Sequence, residues 1–188
     1  MTDQRTLTAY HEAGHAVVAF DQGVRIFGIS LIPGHGKRGH ARVDTLFLDR
    51  RIATFHSDKG ARNRFTMERH VMVLLGGSAA ADRLDPERGG QEGARPVKGS
   101  DQYKALELLF QFTGSRKEAQ KYYDWLKVRT EGIVSSPLRW FQIRGLAQVL
   151  QEKEKLGTRK VMETLKDLEA RWCEKHGGRE NEKPRFGP

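Results

Sequence analysis

Two histidines four residues apart, with a glutamate directly after the first, make His11-Glu12-Ala13-Gly14-His15 the stretch of this chain best suited to chemistry. An α-helix completes a turn in 3.6 residues, so His11 and His15 fall on one face, one turn apart. Two imidazoles so placed can bind one Zn²⁺. Glu12, beside the first ligand, can take a proton from water held by that metal.

A catalytic zinc needs a third protein ligand and an open position. A thermolysin-like arrangement would take a Glu from a helix soon after the motif, but no Glu stands between Glu12 and Glu68. A metzincin-like extension would need Gly at position 18 and a ligand at 21. The chain has Val18 and Asp21, and without the Gly turn the helix carries Asp21 away from the metal. The third ligand is therefore distant in sequence. Asp101, in Gly99-Ser100-Asp101 at a helix start after a Gly-rich loop, is the best candidate, and spacing alone leaves Glu68, Asp82 and Glu92 open.

The elements that must position these groups are legible in outline. The first helix carries apolar positions at Leu7, Ala9, Tyr10, Ala13, Ala16, Val17 and Phe20, with Thr6 or Thr8 as the expected cap and Gly23 as the C′ residue. Residues 24–33 are rich in β-branched and aromatic side chains and predict a strand. Residues 40–48 predict its antiparallel partner across a glycine-rich turn. Residues 49–64 predict a loop or a short extra strand around Ile52 to Phe55. A second helix is expected from about Thr66 to Leu84, with Gly76-Gly77 allowing close packing. A loop over 85–97 leads to a helix capped by Ser100, which Gly114-Ser115 interrupts. Helices then follow over 116–133 and 138–154, and a short one starts at Gly157-Thr158. The whole predicts an α+β head over residues 1–112 and a helical part over 113–173, with a polar tail from 174 to 188.

Several blocks in order carry a resemblance. His11-Glu12-Ala13-Gly14-His15-Ala16-Val17, Ile29-Ser30-Leu31-Ile32-Pro33-Gly34, Val73-Leu74-Leu75-Gly76-Gly77-Ser78-Ala79-Ala80 and Gly99-Ser100-Asp101 together resemble the peptidase domain of FtsH-type (AAA-linked) zinc metalloproteases, and Leu146 to Leu156 resembles that family's C-terminal helices. The resemblance covers residues 9–168. It implies that His11, His15 and Asp101 bind one Zn²⁺ and that Glu12 is the catalytic base. It implies a mainly helical fold, with a small sheet beside the zinc-binding helix and a C-terminal helical bundle. An edge strand near Gly39, His40, Ala41, Arg42 and Val43 would hold a polypeptide substrate by β-augmentation. The sequence departs from the family at Ala79-Ala80-Ala81-Asp82, where the family carries Ala-Ala-Glu after its Gly-Gly, and at His40, where the family has an aromatic. The family's ATPase module and membrane anchor are not found in these residues, so a stand-alone peptidase is expected. A homo-oligomer and a separate ATPase or adaptor are possible partners.

Composition sets wider bounds. The 188 residues are 37% hydrophobic and 30% charged, enough for a real core beneath a highly charged surface. The net charge is +9, and residues 34–70 hold nine Lys/Arg against four Asp/Glu. That basic segment suits a solubilising surface. It also supports an alternative from another class, a non-catalytic or regulatory module that binds a partner protein or nucleic acid. Cys173 is the single cysteine, so no intramolecular disulfide forms. No apolar run approaches the ~18 residues of a span, and the N-terminus lacks the apolar stretch of a signal peptide. A cytoplasmic protein without a membrane span is the expectation. Gly34-His35-Gly36-Lys37-Arg38-Gly39 matches G-x-G-x-x-G but precedes a strand, so it predicts a hairpin turn rather than a dinucleotide site, with His35 and His40 as exposed loop histidines. Trp125, Trp140 and Trp172 fall at helical spacing and are expected to anchor packing.

Overall fold

A computed structural model describes residues 2–32, 40–43, 61–87 and 97–177. Among them are six helices and three short strands: α1 (Gln4–Asp21), β1 (Ile26–Ser30), β2 (His40–Val43), α2 (Ala61–Leu84), α3 (Asp101–Thr113), α4 (Arg116–Ser135), α5 (Pro137–Lys153), β3 (Lys155–Gly157) and α6 (Thr158–His176). The fold is mainly α-helical, of α+β class.

Helix α1 is central because its side chains are small. Ala9, Ala13, Ala16, Val17, Val18 and Ala19 are fully buried, and the helix packs against α2 on one side and α5 on another. Its start lies earlier than either expected threonine. Asp3 is the N-cap, and its carboxylate accepts from the Thr6 backbone N–H at 3.0 Å and from Thr6 Oγ1 at 2.6 Å. An ionised cap at a helix N-terminus gains from the dipole as well as the hydrogen bond, which a threonine cap lacks. Gly23 follows the helix at φ +61°, as its type predicts.

Helix α2 also begins before its expected cap, at Ala61 rather than near Thr66. Arg64 explains part of the extension. Its Nε lies 3.3 Å from Glu68 Oε1 one turn on and 2.8 Å from Tyr122 Oη on α4, so the first turns are held by side-chain partners. Helix α3 starts at its expected place, with Ser100 Oγ accepting from the Tyr103 backbone N–H and Gly114 in the left-handed region at its end. Ser136 then caps α5, with Pro137 at its first turn.

The three strands form one antiparallel sheet in the order β2-β1-β3. Strand β3 has no counterpart among the sequence expectations. Three residues between two helices are too few to show an alternating pattern. Its Leu156 is buried and pairs with Ile29, so a segment of the helical second half completes the sheet of the first. Gly28 is required at that seam. It sits at φ +143°, and a Cβ there would lie 2.6 Å from the Leu156 carbonyl oxygen. Helix α6, expected to be short, runs to His176 and ends at Gly177 in the left-handed region, three residues past the boundary at 173. Trp140 packs against Tyr10 and Trp172 against Phe141, whereas Trp125 is about half exposed.

Among the described residues no helix is long and apolar enough to cross a membrane.

Candidate metal centre

The site is built where α1, α2 and the N-terminus of α3 meet. His11 and His15 project from one face of α1 with ring centroids 4.6 Å apart and planes nearly perpendicular. Their Nε2 atoms are 3.0 Å apart. Asp101, the first residue of α3, brings Oδ2 to 3.5 Å from His11 Nε2 and 3.3 Å from His15 Nε2. Three potential ligand atoms therefore converge from segments about ninety residues apart in sequence. Among the described residues this is the group of His, Cys, Asp and Glu side chains that could hold a metal ion. Glu68 is instead engaged by Arg64 and Tyr122. Asp82 is exposed on α2 and takes no part in the cluster. Glu92 and His35 lie outside the described residues.

The supporting contacts explain the convergence. His15 is buried, and its Nδ1 lies 2.7 Å from the Val73 carbonyl oxygen. A carbonyl only accepts, so Nδ1 carries a proton there, and Nε2, which faces His11 and Asp101, is the ring nitrogen left to bind a metal once it holds no proton of its own. Lys104, one turn into α3, donates from Nζ to Asp101 Oδ1 at 2.6 Å and leaves Oδ2 toward the histidines. Burial works against the charge on Asp101, but hydrogen bonds from His11, His15 and Lys104 outweigh it. They hold the carboxyl well below the usual carboxylate range. The first turn of α3 adds the favourable end of a helix dipole.

This donor set fits zinc. Two imidazoles and one carboxylate are common ligands for it, three protein donors leave a position open, and a carbonyl partner on the second histidine nitrogen is the usual orienting contact. Glu12, the residue after His11, is only 4% exposed. Burying a carboxylate is costly, and such groups concentrate at functional sites.

Val73 and Lys104 were not singled out by the sequence. Nothing in the sequence marks a backbone carbonyl, but Asp101-x-x-Lys104 is a visible i,i+3 ion pair. His40, Ala41, Arg42 and Val43 form β2, at one side of the sheet and packed against α1. Gly39 and most of the basic segment 34–70 lie outside the described residues.

No protein-family model matches the chain. A stretch of 79 residues is 35% identical to the ATP-dependent zinc metalloprotease FtsH of Caldicellulosiruptor bescii, covering 41% of this chain and 11% of that protein. The match supports a distant relation to the FtsH peptidase.

Proposed function

We propose that this chain is a zinc-dependent endopeptidase that cleaves unfolded or flexible polypeptide segments. The convergence of His11 Nε2, His15 Nε2 and Asp101 Oδ2 within 3.0–3.5 Å carries the reading. The distant likeness to a zinc metalloprotease supports its direction. His11, His15 and Asp101 hold one zinc ion. Bound there, the ion acidifies water and polarises a carbonyl.

The chain's own residues do the rest. Val73 and Lys104 keep His15 and Asp101 oriented. Glu12 acts as general base, receiving a proton from the attacking water and passing it to the leaving amine. His40 to Val43 of β2 offer backbone for an extended substrate to pair with, which favours flexible segments over folded ones. Residues 1–173 act together as the peptidase unit. Strand β3 and helix α5, which pack against β1 and α1, support that grouping.

The test is cleavage of a fluorescence-quenched unfolded polypeptide by zinc-loaded protein, beside Glu12→Gln. The wild type cleaves it. Glu12→Gln keeps stoichiometric zinc and loses turnover by roughly 10²–10⁴-fold, the usual contribution of a general base. Full activity in Glu12→Gln, or zinc-loaded wild type without cleavage, overturns the proposal.

A further inference from the structure

Two adjacent glycines on α2 meet α1 in different ways. A Cβ at Gly76 would lie 2.8 Å from Val18 Cγ2 and 2.9 Å from the Gly14 carbonyl oxygen, so Gly76 serves the packing of two backbones. A Cβ at Gly77 would meet no backbone among its nearest atoms. It would stand 2.4 Å from His15 Nε2 and 2.7 Å from both Nε2 and Cε1 of His11. All three distances are below the 3.0 Å that real Cβ atoms essentially never breach. We infer that Gly77 is a positioning residue for the metal ligands: its missing side chain is what allows both imidazoles to present Nε2 to one point. The inference rests on the metal centre proposed above.

The physical argument turns on what can yield. Where a new methyl meets backbone, the helices must separate. Where it meets side chains, rotation relieves the overlap. At Gly77 the side chains that would rotate are the two ligand histidines. His15 cannot turn without breaking its bond to the Val73 carbonyl, one helical turn before Gly77 on the same face of α2. That would leave the Nδ1–H of His15, a residue only 6% exposed, without its acceptor. His11 is about one-third exposed and swings out more easily. Either movement separates two nitrogens that are now 3.0 Å apart. A methyl at 77 is therefore accommodated by the fold at the expense of ligand geometry. Val73 and Gly77 together form a mould, one contact holding the ring nitrogen and the other leaving room for the ring.

The experiment measures zinc affinity of the full chain by competition with a chromogenic chelator, with Co²⁺ absorption as a report on coordination geometry. It compares wild type, Gly77→Ala and Gly132→Ala. Gly132 is a helical glycine on α4, where an added Cβ meets nothing within 4 Å. Gly77→Ala should weaken zinc by about 10–100-fold, the range for groups that orient ligands, and change the Co²⁺ spectrum. Gly132→Ala should match wild type. Equal zinc affinity in Gly77→Ala and wild type overturns the inference.

A second measurement is independent of metal and of catalysis. In metal-free protein, Gly77→Ala should lower the melting temperature in the native background. It should cost little in a His11→Ala/His15→Ala background, where the rings are gone. An equal loss in both backgrounds overturns the inference. Failure of the wild type to take up zinc would sink the metal-centre reading instead, and this thermal cycle would still decide the role of Gly77.

Discussion

Gly14 on α1 and Gly76 on α2 touch backbone to backbone: a Cβ at Gly14 would lie 2.4 Å from the Gly76 carbonyl oxygen and 2.6 Å from Ala80 Cβ. A main-chain oxygen cannot rotate away, so any side chain at position 14 must push the helices apart. Overpacking in a tight core costs about 1–3 kcal/mol, sometimes more, and this contact belongs at the upper end. We expect Gly14→Ala to lower the melting temperature by roughly 5–12 °C for a chain of this size. Gly76→Ala should do the same. Calorimetry of the metal-free proteins checks this, and a wild-type melting temperature in either variant would contradict the packing.

Asp101 and His15 supply the test of the ligand set. Metal analysis after dialysis should find about one zinc in the wild type and none in His15→Ala or Asp101→Ala. Loss of a direct ligand should exceed the ~10–100-fold penalty of losing an orienting group. If Asp101→Ala keeps stoichiometric zinc while His15→Ala loses it, the third ligand lies elsewhere.

Arg139 ties three helices together. Its Nε donates to Asp21 Oδ1 at 2.8 Å at the end of α1, and an NH1 hydrogen goes to Gln142 Oε1 at 2.8 Å within α5. Glu169 on α6 lies 3.6 Å from the same NH1. The pair with Asp21 is about four-fifths buried, which makes it worth more than a surface ion pair. Arg139→Ala should cost about 2–4 kcal/mol, because it leaves the partly buried Asp21 carboxylate without its cation and with only the Gln22 amide donating to Oδ2 at 2.7 Å. Lysine lacks the planar fork, so Arg139→Lys should restore less than half of the loss. Urea unfolding of the three proteins measures both effects.

Two tyrosines predict an alkaline weak point. Burial, and then the hydrogen bond to Glu68, push Tyr122 up to about 12, and burial does the same for Tyr123. The folded chain thus holds phenolic protons that an unfolded chain, with tyrosines near 10, has already released. Raised folded-state pKa values give stability that is intact below pH ~10 and lost as pH rises toward ~12. Denaturant midpoints should fall across that window. In a Tyr122→Phe/Tyr123→Phe variant the fall should be shallower, with lysine titration as the common background. Identical slopes in the two proteins would refute this source of alkaline sensitivity.

The local chemistry of the chain determined much of what is seen. His11 and His15 share a face because helical geometry requires it once Ala9 to Phe20 form a helix. Ser100, Gly114 and Ser136-Pro137 mark helix ends because hydroxyl caps, left-handed glycine and N-terminal proline act within one turn of themselves. Other features needed the folded chain. Spacing left Glu68, Asp82, Glu92 and Asp101 as candidate partners for the histidines. Only the packing of α3 against α2 brings Asp101 beside them, while Glu68 is drawn to Tyr122. Its place at a helix start made Asp101 the best candidate and the resemblance pointed to it, but spacing alone did not separate it from the other three. Strand β3 is three residues long and exists through its pairing with β1. The Val73 carbonyl that holds His15 is 58 residues away from it and has no side-chain signature. Gly77 looked like one of two packing glycines, and only the tertiary structure separates it from Gly76 by what stands opposite: rings rather than backbone. Short-range sterics and hydrogen bonding are written in neighbouring residues. Which distant surfaces meet is decided by the packing of the whole chain.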